Sequence, residues 1–146
     1  MCSGQIAPLK CVHVDDIDIN FKDSLYDASY ILYNHQIHSI WLVGHIKDVN
    51  HELEFFDFDD NSGRPLRIQY CRKYIEPQVK DKNIIKVGNR VSIICGISHL
   101  IIGKEAYLNF RVNRISKAYD FNPEYFSAKV NEWLVFFWTN KCHSNT

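Results

Sequence analysis

The side chains of this sequence that could do chemistry are aromatic and basic residues at alternate positions of predicted β-strands. Proteins that bind single-stranded nucleic acid stack bases on aromatic rings, while basic side chains follow the phosphate backbone. A row of such side chains on the outward face of a sheet therefore predicts a DNA-binding groove. The outward candidates on and around the second, third and fifth predicted strands are Phe55, Arg67, Gln69, Arg72, Tyr107 and Arg111.

The overall charge favours a different interpretation of the same face. The 146 residues include 17 basic and 17 acidic side chains, so the formal net charge is zero. A protein that attracts nucleic acid through non-specific charge is usually basic. Three acidic residues, Asp57, Asp59 and Asp60, also lie near the candidate groove. The composition therefore argues against a general nucleic-acid binder, and the alternatives are a local groove or an ordinary solvated face.

No arrangement of residues typical of an enzyme occurs in the sequence. It contains no GxSxG, Walker A or HExxH motif, and no cysteine with a placed histidine partner. The pairs Cys11–His13 and Cys142–His143 lack the spacing of zinc ligands. Asp57, Asp59 and Asp60 could form a carboxylate metal site, but two of the three lie in a predicted hairpin turn, where Asp is favoured because it accepts backbone hydrogen bonds, and we prefer that explanation. We therefore expect a non-enzymatic protein with no catalytic residues, no cofactor, no metal and no small-molecule substrate.

Composition and cysteine usage indicate a globular protein of a reducing compartment. Hydrophobic residues make up 46% of the chain and charged residues 23%, which is typical of a folded domain. The number of cysteines is odd and no two have CxxC spacing, which predicts cytosol or nucleus. No apolar run reaches the roughly 18 residues of a membrane span, and the N-terminus lacks the apolar core of a signal peptide. The cysteines are Cys2, Cys11, Cys71, Cys95 and Cys142.

Alternation of apolar and polar residues predicts five strands, at 37–49, 52–59, 65–73, 90–99 and 106–115. Gly44 and Gly96 interrupt the first and fourth strands, where a bend would let the strand curl around a barrel corner. Phe56 and Phe58 are the predicted core residues of the second strand, which turns Phe55 outward. The pattern predicts an all-β fold, a five-stranded Greek-key OB-fold barrel. An SH3-like barrel is the structural alternative.

The segments outside these strands give weaker signals. We expect residues 1–8 to be disordered, 9–14 to form a short edge strand, and 15–26 to be a turn or short helix. Residues 74–86 contain Pro77 and several charges, which predicts a loop, with or without a helical turn. The OB domain is expected to span 9–138, followed by a polar tail at 139–146.

The C-terminal helix, predicted at 122–138, is the strongest candidate for a partner-binding element. Asn122 is a good N-cap, and Pro123 suits the first helical position. The apolar and aromatic side chains exceed what one barrel face should cover, and exposed aromatic patches usually mark interfaces. The alternative is that these residues only close the barrel. The predicted partner-binding residues are Tyr125, Phe126, Val130, Trp133, Leu134 and Phe137.

Three stretches resemble a known family. They are ILYNHQIHSIWLVGHIKDV (31–49), FDFDDNSG (56–63) and IIKVGNRVSIICGISHLIIGKEAYLNFRVNRIS (84–116). In their order and spacing they are similar to the N-terminal OB domain of the Stn subunit of the CST telomere-capping complex. A more distant similarity is to the middle subunit of replication protein A. The stretch KCVHVDDI (10–17) also resembles the segment that precedes the barrel in that family.

The resemblance implies a non-enzymatic subunit of a telomere-capping or single-stranded-DNA-binding complex, located in the nucleus at chromosome ends. It also implies a heterodimer with a small OB-fold partner of the Ten type, formed through C-terminal helices, and no association with membranes. Family members often carry winged-helix modules after the OB domain, so the chain is expected to be either a shortened member or a divergent relative, such as the insect one. The alternative is a protein-interaction OB subunit of a replication or repair complex that does not contact DNA.

Overall fold

Eight β-strands and three α-helices are described in the computed structural model, which covers residues 5–119 and 121–139 and the side chains at 6–119 and 121–135. The strands are β1 Gln5–Pro8, β2 Asp18–Phe21, β3 Ala28–Leu32, β4 His35–Asn50, β5 Phe55–Asp59, β6 Leu66–Gln69, β7 Arg90–Ile102 and β8 Glu105–Lys117. The helices are α1 Cys11–Val14, α2 Arg72–Ile75 and α3 Pro123–Thr139, and a 3₁₀ turn, Glu76–Gln78, follows α2.

Five of the strands close into the predicted OB barrel. Strands β4, β5, β6, β8 and β7 are hydrogen-bonded in that order, and β7 pairs back with β4 to complete the circle. All pairs are antiparallel except β6 with β8, which run parallel with Ile68 opposite Phe110 and Gln69 opposite Arg111. The fold class predicted from the sequence, an all-β five-stranded barrel with a C-terminal helix, is therefore confirmed.

Gly44 marks the corner at which β4 passes from one neighbour to the other. Residues 39–45 of β4 pair with β7, and residues 45–50 pair with β5. A Cβ at position 44 would lie 2.6 Å from the carbonyl oxygen of Asp59 and 2.8 Å from Cζ of Phe58. The backbones of β4 and β5 approach this closely only because glycine has no side chain. Gly44 therefore lies where β4 changes partner, as predicted, while the register irregularity of β4 lies further along, between Ile46 and Asp48.

The barrel interior is filled by the residues that the alternation predicted. Phe56 and Phe58 are completely buried, and each contributes about 1.5–3 kcal/mol by leaving water. Leu42 and Val43, at successive positions of β4, are both buried, so this strand is covered on both sides. Burial raises the pKa of the Cys95 thiol, which keeps it protonated and chemically quiet.

The N-terminal segment corrects two predictions. Residues 5–8 are not disordered, because β1 pairs in parallel with β4; residues 1–4 lie outside the described part of the chain. Residues 9–14 do not form an edge strand, because Cys11–Val14 is a single helical turn. The physical reason is burial, since apolar side chains of this segment enter the barrel core and fix its path. These side chains are Ala7, Leu9, Cys11, Val14 and Ile17.

The acidic turn after β5 holds this N-terminal segment in place. One carboxylate oxygen of Asp60 accepts the backbone N–H of Cys11 at 2.9 Å, and the other accepts the N–H and hydroxyl of Ser62. The Ser62 hydroxyl oxygen in turn accepts the N–H of Val12 at 3.1 Å. Asp59 and Asp60 therefore accept the backbone hydrogen bonds expected of turn residues, whereas Asp57 accepts from the Arg67 side chain. Within the described residues, no group of three or more His, Cys, Asp or Glu side chains could hold a metal ion.

The remaining loops differ from the sequence prediction in length and type. The segment 15–26 contributes β2, which forms a hairpin with β3. Strands β5 and β6 are shorter than the predicted strands 52–59 and 65–73. The reason is that Glu54 has a positive φ of 57° and α2 begins at Arg72. Strands β7 and β8 are longer than the predicted strands 90–99 and 106–115, and they meet at the predicted turn, where Gly103 has a φ of +65°. The sheet therefore extends beyond the barrel as a two-stranded arm, residues 98–109.

Helix α3 lies against the outer face of β4. The side-chain oxygen of Asn122 accepts the N–H of Glu124 at 2.8 Å, which confirms the predicted N-cap. Phe126 and Val130 pack with Val43, and the ring of Trp41 meets that of Phe126 edge-on at 4.8 Å. The helix thus covers the side of the barrel. No helix in the described ranges is long and apolar enough to cross a membrane.

Replacing Gly44 with alanine should destabilise the barrel by about 1–3 kcal/mol, since the new methyl group must displace backbone. Urea unfolding followed by far-UV circular dichroism measures the loss. Gly96→Ala is the matched control, because its nearest neighbour is the movable Nδ2 of Asn113, at 3.2 Å from the added Cβ. Equal destabilisation by the two changes would contradict the role given to Gly44.

Replacing Asp60 with alanine should release the N-terminal segment, because the N–H of Cys11 loses its acceptor. We expect a loss of about 1–2 kcal/mol and faster amide hydrogen exchange in residues 6–14. Asp59→Ala is the control, since the Asp59 side chain accepts only the N–H of Asn61 within the turn. The role of Asp60 is refuted if exchange in residues 6–14 is the same in both variants.

Candidate nucleic-acid interface

A row of three predicted DNA-binding side chains crosses the outer face of β5, β6 and β8. Phe55 lies opposite Gln69 in the antiparallel pair, and Gln69 lies opposite Arg111 in the parallel pair. Residues directly opposite each other in a sheet share a face. Their chain neighbours Phe56, Ile68 and Phe110 are buried, so Phe55, Gln69 and Arg111 point outward. We call these three residues the central row.

Arg67 lies beside the central row and covers one of its members. Its guanidinium carbon is 4.2 Å from the centre of the Phe55 ring. Its Nε donates to a carboxylate oxygen of Asp57 at 3.2 Å. An exposed ion pair of this kind stabilises by only about 0–1 kcal/mol. A phosphate group could therefore replace Asp57 at the guanidinium with little cost, and an incoming base could stack on the ring or on the guanidinium plane.

The face continues from the central row onto the arm. Asn109 donates through Nδ2 to Oε1 of Gln69 at 3.3 Å, and Tyr107 follows two residues further out. Tyr107 is 47% exposed and its hydroxyl donates to the carboxylate of Glu105, a hydrogen bond that raises its pKa. Leu100, opposite Tyr107, and Ile102 are exposed on the same side. Tyr107 is among the predicted DNA-binding residues, but Leu100 and Ile102 are not, because the sequence predicts that this strand ends at 99.

The β2–β3 hairpin braces the arm from its other side. His99 faces it, and its Nδ1 is 2.8 Å from the hydroxyl oxygen of Tyr30. The Nε2 atom of His99 is 2.7 Å from the carbonyl oxygen of Leu25. The ring of Phe21 meets the imidazole edge-on. These contacts support the arm and hold the side that carries Tyr107 outward.

Arg72 is separate from the other five predicted DNA-binding residues. It is the first residue of α2, and a guanidinium nitrogen donates to the carbonyl oxygen of His51 at 3.2 Å. Its backbone N–H donates to a carboxylate oxygen of Glu54 at 2.6 Å. Arg72 therefore lies at the rim of the barrel, beyond the end of β6.

A cavity of about 280 Å³ opens beside Arg72. It lies between the loop that precedes β5 and the segment that follows β6. Nδ1 of His51 is 3.0 Å from the hydroxyl oxygen of Tyr70, and burial raises the pKa of this tyrosine. The sequence predicts a loop over 74–86 that can include a helical turn, and the turn is present in α2 and the 3₁₀ turn. The cavity depends on how this segment packs, which a loop prediction does not give. Its lining residues are His51, Tyr70, Arg72, Ile75, Glu76, Val79, Lys82, Asn83, Ile84 and Ile85.

The predicted partner-binding residues of α3 differ in how far they are buried. Phe126 and Val130 are buried against the barrel, so they fasten the helix and are not accessible to a partner, which corrects that part of the prediction. Trp133 and Leu134 are half-buried against the core. Tyr125 is 53% exposed, with Nζ of Lys129 5.5 Å from its ring centre. The side chain of Phe137 lies outside the described residues.

No protein-family model matches the chain, and no curated protein matches it. Among solved structures, a replication protein A heterotrimer bound to single-stranded DNA contains a similar chain, with a TM-score of 0.67 and 9% identity over 90% of this chain and 97% of that one. A chain of the S. pombe Stn1–Ten1 complex is similar with a TM-score of 0.64 and 18% sequence identity, over 91% of each chain. A chain of yeast replication protein A bound to single-stranded DNA is similar with a TM-score of 0.55 and 17% sequence identity, over 99% of this chain and 93% of that one. The likeness shows that the chain has the OB fold.

Proposed function

We propose that this protein is a non-enzymatic OB-fold subunit of a complex that binds single-stranded DNA, and that it contacts the strand through the outer face of β5, β6 and β8. The observation that carries the proposal is the central row. It places an aromatic ring, an amide and a guanidinium group, in Phe55, Gln69 and Arg111, side by side across three strands.

The chemistry of this face suits a strand without strong sequence preference. Every base has a flat surface that can stack on Phe55 or Tyr107, whatever its identity. Arg67 and Arg111 are both exposed and could each neutralise one phosphate. Two such contacts give a salt dependence with a slope of roughly 1–2. Zero net charge agrees with a modest affinity of the chain alone, strengthened by other subunits of the complex.

The setting that we propose is telomere capping at chromosome ends in the nucleus. The sequence resemblance to the Stn subunit supports it, as does the structural similarity to the S. pombe Stn1–Ten1 complex. In this proposal α3 binds a small OB-fold partner of the Ten type, and Tyr125, Val135 and the accessible edge of Trp133 contact it. Tyr125 and Val135 are the large apolar side chains of the described part of α3 that are exposed.

A second candidate is a protein-interaction OB subunit of a replication or repair complex that does not touch DNA. The contacts of Arg67 favour it. Its guanidinium group already has an anionic partner in Asp57 and covers the Phe55 ring. A face whose charges are paired within the protein attracts phosphate less strongly than a face of free cations. DNA binding by the purified chain separates the two candidates.

Phe55→Ala should weaken binding of a short single-stranded oligonucleotide by about five- to hundredfold, the range for loss of one base stack. Arg67→Ala should weaken it less and lower the salt slope by about 1. Fluorescence anisotropy at several salt concentrations measures both effects. Lys22→Ala is the control for Arg67→Ala, since it also removes one positive charge, but from the β2–β3 turn. If all three variants bind like the unchanged chain, the face does not contact DNA.

Tyr125→Glu should weaken the complex with a Ten-type partner by about thirtyfold or more, the weight of one interface hot spot. The reason is that a carboxylate would have to be buried where an aromatic ring packed. Co-expression followed by calorimetry of the separated subunits measures the change. Tyr26→Glu makes the same change at a tyrosine of the β2–β3 turn that is 83% exposed and lies outside α3, so it is the matched control and should have little effect. Equal affinities of the two variants would argue against an α3 interface.

A further inference from the structure

The cavity beside Arg72 combines two kinds of wall. Apolar side chains form one side, namely Ile75, Val79, Ile84 and Ile85. Polar groups stand around it, with cations at Arg72 and Lys82, hydrogen-bonding groups at His51, Tyr70 and Asn83, and one carboxylate at Glu76. A flat apolar base and an anionic phosphate, joined in one molecule, match this combination. The volume of about 280 Å³ is just below the range of ligand pockets, roughly 300–1,000 Å³, so the cavity could hold no more than a small ligand such as a single nucleotide.

Hydrogen bonds hold the walls of the cavity in place. The Lys82 ammonium donates to the carbonyl oxygen of Glu76. Nδ2 of Asn89 donates to the carbonyl oxygen of Ile84 at 2.9 Å, and the ammonium group of Lys117 pairs with Asp81 at 2.7 Å. The segment between β6 and β7 is therefore tied down at several points. A site that exists before the ligand arrives does not spend binding energy on ordering itself.

The cavity adjoins the proposed DNA-binding face. Its rim residue Arg72 follows three positions after Gln69, and His51 belongs to the loop that leads into Phe55. The carboxylate of Glu54 and the carbonyl oxygen of His51 both accept hydrogen bonds from Arg72, which joins the two loops at this rim. A strand that continues past Phe55 and Gln69 toward Arg72 could therefore reach the cavity.

We infer that this cavity is a binding site for one nucleotide of the bound strand. The base enters against Ile75, Val79 and Ile84, and its phosphate lies between Arg72 and Lys82. The inference rests on the proposed function and adds to it a defined pocket at one end of the groove. The same chemistry could also come from a free mononucleotide, and the experiment below distinguishes the two sources.

The first test uses oligonucleotides of about 12 nucleotides, within the range that one OB fold covers. Each carries one abasic position, moved along the strand in turn, and anisotropy gives its affinity for the full chain. One position near an end of the binding site should cost about five- to hundredfold, as expected for one lost base contact. In Asn83→Trp, whose indole should fill the cavity mouth, the cost at this position should disappear while the cost at other positions stays.

The second test is a matched pair of lysines that does not depend on filling the cavity. Lys82 lines the cavity and Lys80 does not, although both are exposed on the same segment. Lys82→Ala should weaken strand binding several-fold more than Lys80→Ala. A titration with a deoxynucleoside 5′-monophosphate at millimolar concentration, followed by methyl NMR of the isoleucines, tests whether the cavity binds a free mononucleotide.

The outcomes separate the inference from the proposed function. If the unchanged chain does not bind oligonucleotides, the proposed function fails and the inference fails with it. If it binds, but abasic costs are the same in Asn83→Trp and the two lysine variants are equal, the inference alone is overturned. Binding of the monophosphate without any position-dependent abasic cost also overturns it, because the cavity would then serve a free nucleotide.

Discussion

Strand β4 must pair with two other strands of the barrel along its length, and the rest of the barrel depends on this requirement. Residues 39–45 of β4 pair with β7 and residues 45–50 pair with β5, so the change of partner falls at Gly44 and His45. The carbonyl group of Asp59 and the ring of Phe58 occupy the space that a side chain at position 44 would need. Once the barrel is closed, alternate residues of β5, β6 and β8 must point outward. That is how residues distant in sequence, Phe55 and Arg111, come to share one row.

The same strand separates two surfaces that we assign to different partners. The outer face of β4 is covered by α3, through contacts of Trp41 and Val43 with Phe126. No described element covers the central row on β5, β6 and β8. A protein bound to α3 would therefore leave the row accessible, so a strand of DNA and a second subunit could bind together. In the N-terminal segment Ala7, Leu9, Cys11, Val14 and Ile17 are buried in the core, whereas Ile6 and Val12 are exposed.

Local signals in the sequence were sufficient for the barrel and for most of its outward face. Period-two alternation identified Phe56 and Phe58 as core and Phe55 as outward, and glycine identified the corner at Gly44. Local signals were not sufficient where contacts between residues distant in sequence decide the structure. Strand β1 forms only because β4 offers it an edge. The buried state of Phe126 and Val130 depends on the surface beneath α3, and the cavity is built by segments joined by Arg72. None of these contacts leaves a periodic pattern.

The most direct test of DNA binding by the outer face is an NMR titration of the ¹⁵N-labelled chain with a short single-stranded oligonucleotide. We predict that the largest amide shifts fall on β5, β6 and the outer half of β8, with Phe55, Gln69 and Arg111 among them. Residues of α3 should be unchanged. Shifts confined to α3 would contradict the assignment of this face to DNA. So would the absence of shifts at oligonucleotide concentrations well above those at which such complexes form in cells.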